Sequence, residues 1–473
     1  MGFRHTVPAV YPVRMAQLQL ETLRDLVGGP IFTRHDDGYD AEVLAWNLSV
    51  VQHPDVVIGA ASTEDVVAGV RFAHSTASRV TVQCTGHGAH VPITSGVLIT
   101  TSRLEKLDID PQTRIATIGA GVRWQRVIDE AWRHGLVPIS GPSTSVGVVG
   151  YLLGGGLGPL SRSHGFSSDY LRGVTVVTGE GERVEANADS NPDLFWALRG
   201  GKIGLGIVTE VRLELVEMTT LYAGSLLFDT EHIEQVLRGW IDYTATAPDD
   251  VTTSIAIMRL PDLDVVPPPV RGRTLASIRF AYPGDSAEGA RLAGPLRALA
   301  PVYLDSLAEM ATTDIPLIHG DPTEPSPSFT RGGMLDSADQ HLATAVLAHV
   351  GAGSRVPLIV FELRHLGGAT HVDVAGGSAV GGRDANYTVA AIGAPDPALF
   401  DTVLPAVIDP LFDDLAPWLS TITNVNFLTR LDSRHRLASA WPANILDRLT
   451  EVRRRYDPDG TVAPPAFATA SSE

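Results

Sequence analysis

The chain has 473 residues, enough for two or three domains with a substantial core. Charged residues make up 19% and hydrophobic residues 44%, which excludes a disordered or collagen-like chain. With 36 Lys and Arg against 54 Asp and Glu, the net charge is -18 and no basic run offsets it, so nucleic acid is not an expected partner.

In chain order, the opening MGFRHTVPAVYPVR lacks the apolar segment of a secretory signal, and a cytoplasmic protein is the expectation. Residues 13 to 28 carry Ala16, Leu20, Leu23 and Val27 on one stripe with Gly28 at the stop, which predicts an amphipathic helix. Val56 to Ala60 predicts a strand, Ser62 with Asp65 a capping box, Val66, Val70 and Ala73 a helix face, and Arg79 to Gln83 a returning strand. That is a β-α-β unit, and it runs into Thr85-Gly86-His87-Gly88, a turn whose glycines let backbone approach a ligand closely. Cys84, just before the turn, is the only cysteine, so an intramolecular disulfide and a cysteine-based metal site are excluded and no metal is expected.

Val97 to Thr101, Ile109 to Asp110 and Ile115 to Ile118 predict strands, with a turn at Asp110-Pro-Gln-Thr113, followed by a helix carrying Val127, Ile128 and Ala131. Gly141 to Gly158 holds seven glycines in eighteen residues, the composition of a loop lining something large. Within it, Val146 to Gly158 is the nearest approach to a membrane span, but glycines interrupt it, so it reads as a loop and no membrane partner is expected. Val174 to Val177 is predicted to pair with Arg183 to Ala186, Asn191 to Arg199 to be a helix, and Val208 to Leu215 to be a half-buried strand.

Beyond about residue 216, Ser254 to Met258, Leu275 to Tyr282, Leu358 to Arg364 and Tyr387 to Ile392 predict an antiparallel sheet backed by helices such as Leu342 to Val350. The proline-rich stretch His319 to Gly333 is expected to be a rim loop able to gate a site. Asn424 to Leu428 is a short return segment, and Ile445 to Arg455 a helix stopped by Asp457-Pro-Asp-Gly460.

Two familiar phosphate motifs are absent. Gly154-Gly-Gly-Leu-Gly158 is not a G-x-G-x-x-G fingerprint, and Gly200-Gly-Lys202 is not a P-loop because Ile203 stands where Ser or Thr would hold magnesium. The combination of motifs is more specific. Val82-Gln-Cys-Thr-Gly-His87-Gly, the Gly141 to Gly158 stretch, Asn191-Pro-Asp-Leu-Phe-Trp-Ala-Leu-Arg-Gly-Gly201, Gly206-Ile-Val-Thr209 and Tyr456-Asp-Pro-Asp-Gly460 occur in one order. In them the chain resembles the berberine-bridge-enzyme-like FAD-linked oxidases of the vanillyl-alcohol-oxidase and cresol-methylhydroxylase superfamily. Leu363-Arg-His-Leu-Gly-Gly368 and Gly382-Arg-Asp-Ala-Asn-Tyr387 look like that family's substrate-domain strands.

The resemblance implies an α+β fold in which residues 1-216 and 421-473 form a two-part FAD-binding domain around a substrate-binding domain, 217-420, with an antiparallel sheet backed by helices. It implies FAD as cofactor, with Thr85, Gly86 and Gly88 around its pyrophosphate and His87 at the covalent flavin-linking position. Gly141, Ser143, Thr144, Gly147, Gly150, Tyr151, Gly154, Gly206, Ile207 and Asn426 are the other implied cofactor contacts. Ser143 stands where many relatives place a cysteine for a second link, so one covalent attachment is expected. Ile203-Gly-Leu-Gly206 replaces the family's Gly-Asn-Phe-Gly.

Asn424-Val-Asn426 occupies the family's Tyr-x-Asn position, which replaces the usual tyrosine base with a side chain that cannot accept a proton. Tyr387 is the first substitute, with Arg364 and His365 as further catalytic candidates; strand alternation allows only one of Arg364 and His365 to point inward. The expected function is oxidation of a small or medium organic substrate, a specialised metabolite, with hydride passed to flavin and oxygen as the reoxidant. The alternatives are a flavin-containing cyclase or pericyclase with no net redox reaction, and a non-catalytic flavin-binding protein.

Overall fold

Runs of β-branched and alternating apolar residues organise residues 19–428 and 439–464, the part that this computed structural model describes, into three main sheets and their covering helices. The helix expected over 13–28 spans 19–26, and its first six positions lie outside the described residues. In the first sheet the strands Val56–Gly59, Val97–Thr100 and Val80–Gln83 run parallel, with Ile31–Thr33 antiparallel on the edge. Parallel pairing requires a crossover, which the helix Thr63–Ser75 supplies. Ser62 caps it by accepting the Asp65 amide, and Val66, Val70 and Ala73 are fully buried beneath it.

The second sheet is antiparallel, in the order Leu107–Asp110, Ile115–Gly119, Ile207–Glu214, Leu171–Val177 and Arg183–Ala186. The predicted hairpin has the register Val174 with Ala186 and Val177 with Arg183. One hydrophobic core joins these two sheets, and it also takes in Val425, Leu428, Trp441, Leu449 and Val452 from the end of the chain.

The third sheet has eight strands, all pairings antiparallel, with Thr220–Asp229, Thr274–Tyr282, Thr252–Arg259, Leu358–His365, Tyr387–Gly393 and Thr330–Leu335 as successive neighbours. Its alternation is strict enough to divide function from packing. Phe280, Ile278, Ile255, Ile257, Phe361, Leu363 and Val389 face the helices Ile233–Thr244, Ser286–Arg297, Gln340–Val350 and Val403–Asp414, and form a second core. Ser254, Arg279, Glu362 and Arg364 fall on the opposite face, opposed in register as Ser254 with Arg279 and Ser254 with Arg364.

Buried charge clips the third sheet to the first core. Arg162, in the short helix Ser161–His164, donates from Nε to the Val251 carbonyl at 2.8 Å and also reaches the Leu366 carbonyl. Arg383 pairs with Asp169, whose carboxylate also accepts the Phe166 amide at 2.9 Å. Two expectations need amendment. The loop expected at 146–158 contains a short helix, Val148–Leu152, and the end of the rim loop is the strand Thr330–Leu335. Among the described residues no helix is long and apolar enough to cross a membrane.

Candidate active site

The site begins at the turn that follows the strand Val80–Gln83. Gly86 has φ +74°, and a Cβ there would lie 2.6 Å from the Ala45 backbone, so the turn demands glycine. The next residue, His87, is held on two sides. Its ring stacks on Trp46 with centroids 4.2 Å apart, and its Nε2 lies 3.0 Å from Ser145 Oγ, which is itself 3.4 Å from Ser143 Oγ. Burial, with a smaller push from Arg123, lowers the His87 pKa to about 4, so the imidazole is neutral near pH 7 and keeps a free lone pair.

The glycine-rich stretch forms the opposite wall. Gly147 packs on Cys84, where a Cβ would come within 3.1 Å of the Sγ, and burial raises that thiol's pKa. Gly141 lies against the Tyr151 ring, while the carbonyl of the buried Thr144 accepts the Gln125 amide. Gly154 is locked by Asn426, whose Oδ1 would be 2.0 Å from a Cβ there and whose Nδ2 donates to the Tyr151 carbonyl at 3.1 Å. Gly206 packs on Val176 and Val177 and Ile207 is fully buried in the core, so only their main chain is free to meet a cofactor.

Sequence reasoning misses Lys202, which it offers only as part of a failed P-loop. Its Nζ donates to the Gly150 carbonyl at 3.3 Å and lies 3.8 Å from where a Gly88 Cβ would be, while Gly150 faces open space. Desolvation is the single influence on its pKa and lowers it. An ammonium between two side-chain-free glycines is a donor set that fits a diphosphate, and the neutral His87 at the other end fits a flavin ring.

A polar cluster on the large sheet faces this region. Glu362 is its hub: Arg279 donates to Oε1 at 2.6 Å, Ser254 donates to Oε1 at 3.0 Å, and Arg364 Nε donates to Oε2 at 2.7 Å. Desolvation works to raise the Glu362 pKa, but Arg364 and Arg279 outweigh it and hold the carboxyl down to about 2. Beside them, His319 has both ring nitrogens buried without a partner among the described residues. The Asp321 carboxylate, raised in pKa by burial, takes no hydrogen bond from the described residues either. A cavity lies between this cluster and the segment 157–161, with Arg364, Arg279, His319 and Ser254 in its wall.

The structure places Arg364 on the cavity wall and takes two other catalytic candidates away from it. Tyr387 is a core residue on the helical face: its hydroxyl bonds Thr244 Oγ1 at 2.8 Å, Trp240 packs edge-on to it, and burial raises its pKa rather than lowering it. His365 lies on the same helical face, stacked on Tyr387 at 5.1 Å and 3.2 Å from Arg162 through Nε2. Period-two alternation is the reason, since residues 363 and 365 share one face and 362 and 364 the other. Asn424 is 1% exposed and spends its amide on main chain, donating to the Gly154 carbonyl at 3.0 Å and accepting the Asn426 amide at 3.0 Å.

Alternation could have found Glu362, two residues before Arg364 in an otherwise apolar strand. Nothing in the sequence marks Asp321 or His319, which the fold delivers on the rim loop. That loop is tied down over His87: the Trp46 indole donates to the Thr323 carbonyl at 3.2 Å, and Asn47 accepts the Ser328 amide at 3.0 Å.

Comparison with known proteins bears on the cofactor and the fold. A family described as an FAD binding domain matches residues 54–187. The (R)-6-hydroxynicotine oxidase of Paenarthrobacter nicotinovorans is 32% identical over 194 residues, 41% of this chain and 42% of that protein. The chain spans about half or less of the length of the curated relatives it matches. Among solved structures, Physcomitrella patens BBE-like 1 superposes with a TM-score of 0.82 at 17% identity, covering 96% of this chain and 100% of that one. The glucooligosaccharide oxidase of Acremonium strictum, with its 6-S-cysteinyl, 8α-N1-histidyl FAD, superposes with a TM-score of 0.79 at 19% identity over 95% of this chain and 98% of its own. These superpositions establish a shared fold, and the matched domain establishes FAD as the cofactor.

Proposed function

We propose, from the premise that this chain is a berberine-bridge-enzyme-like FAD-linked oxidoreductase, that it oxidises a small or medium organic substrate of specialised metabolism and is returned to its resting state by oxygen. When bound, FAD supplies the hydride acceptor. The observation that carries the reading is the Asp321 carboxylate, which takes no hydrogen bond from the described residues and interacts electrostatically with Arg364, Arg279 and Glu362. It supplies the proton acceptor that Asn424 cannot be, which favours oxidation over a redox-neutral cyclisation.

Asp321 takes the proton of the substrate's hydroxyl, phenol or amine, and its raised pKa suits a base that must hold that proton. Arg364, fixed by Glu362, orients the substrate, while Tyr151 and the rim loop exclude water. His87 would carry the covalent link, its ring held by Trp46 and by Ser145 at Nε2. Lys202, with the main chain of Gly88 and Gly150, would hold the diphosphate. The FAD unit is discontinuous, with residues 421-473 closing the domain begun by 1-216; the shared core of Trp441 and Leu449 with the first two sheets supports this.

The test is an anaerobic titration of the yellow protein with a panel of alcohols, phenols and amines, with product analysis. An oxidised product accompanied by bleaching of the flavin, and peroxide on readmitting air, is expected. A product isomeric with its substrate, formed without bleaching, would establish the cyclase instead.

A further inference from the structure

We infer that the substrate carries a carboxylate that docks on Arg364 and His319 at the sheet wall of the cavity. This deepens the oxidase reading, and rests on it for where the reacting carbon lies. Glu362 is a single carboxylate shared by two guanidiniums, and Asp321, the other acidic group acting on them, hydrogen-bonds neither. Arg279 is spent on that pairing and is 8% exposed in its side chain. Arg364 is different: only its Nε is used, its side chain stays 23% exposed, and no described residue bonds its two terminal nitrogens.

A guanidinium pinned through Nε presents its terminal pair as a planar fork, the geometry that meets the two oxygens of a carboxylate. His319 is the second, independent observation. It lines the same cavity, its side chain is 6% exposed, and both ring nitrogens lack a partner among the described residues. A buried imidazole left unpaired is costly, and an anionic oxygen within reach of its N–H would satisfy it. Glu362, 3.6 Å away, is already filled by stronger donors.

The remaining wall mixes apolar side chains, Leu157, Ile318 and Leu366, with the hydroxyl residues Ser161, Thr252 and Thr253. The complementary molecule is therefore a small organic body with a carboxylate at one end. A cationic amine would lie beside two guanidiniums, and a neutral sugar would offer the fork and the imidazole only weaker acceptors.

The experiment titrates the FAD-loaded protein with benzoate and phenylacetate, and with benzamide, benzyl alcohol and benzylamine as matched controls, following the flavin absorbance. The carboxylates are expected to bind about 30-fold or more tighter than the carboxamide, the range of a charge-assisted pair. Arg364→Gln should abolish that preference, and His319→Phe should weaken it about tenfold, each with unchanged FAD content. Equal or weaker binding of the carboxylates, no spectral response to them, or an intact preference in Arg364→Gln would overturn the inference. The wild-type comparison stands even if a variant misfolds. Photoreduction followed by admission of air tests the oxidase reading separately: failure to form peroxide would sink that reading and leave an observed carboxylate preference in place.

Discussion

Replacing Glu362 by Gln keeps the shape of the sheet face and removes the carboxylate that Arg279 and Arg364 share. Two routes give the size of the effect. The carboxyl pKa is held at about 2 against an ordinary 4.5, which by linkage is worth roughly 3 kcal/mol at neutral pH. Breaking a buried ion pair on one side costs about 3–5 kcal/mol by analogy with measured cases, and with a 4% exposed Glu362 side chain little screening reduces it. The unfolding transition of the large sheet and its helices should then fall by about 6–20 °C at pH 7. The pH dependence has a definite sign. Because the folded pKa is depressed, the stabilisation is complete above the unfolded value of 4.5 and is lost as pH falls toward about 2. Thermal melts of both proteins followed by near-ultraviolet dichroism from neutral to acid pH would show the gap closing across that window. A Glu362→Gln protein melting within a degree or so of the parent at neutral pH would refute the claim that the two guanidiniums depend on this carboxylate.

Tyr387→Phe removes only the bond to Thr244, so it should cost about 1 kcal/mol of stability and leave the rate of flavin reduction unchanged, as read by denaturant titration and stopped flow. Asp321→Asn should slow flavin reduction roughly a hundredfold with normal FAD content. In the parent that rate should rise with pH through a carboxyl pKa above the ordinary 3.8, and the variant should lack this step. Gly154→Ala places a methyl 2.0 Å from Asn426 Oδ1, and the purified variant should retain much less flavin than the parent by absorbance ratio.

The cofactor half of the molecule was legible because its chemistry is carried by backbone. A turn that needs glycine at residue 86, a histidine in it and a glycine stretch facing it are written directly as residue types, and their order specified the fold. The substrate half was legible as strands but not as a site. Alternation put Arg364 and His365 on opposite faces, yet a single sequence does not say which face the helices cover. The hydroxyl of Tyr387 suggested chemistry, but the ring belongs to the apolar set of Leu363 and Val389, and packing decided its direction. Asp321 and His319 could not be read at all. Their positions depend on a rim loop fixed by contacts with Trp46 and Asn47, more than 270 residues away in the chain.

The most direct test of the account is peptide mapping of the acid-denatured protein by mass spectrometry. The account predicts that the peptide containing His87 carries the mass of FAD, that the flavin stays with the precipitate, and that no other peptide is modified. An unmodified His87 peptide with all the flavin in the supernatant would contradict it.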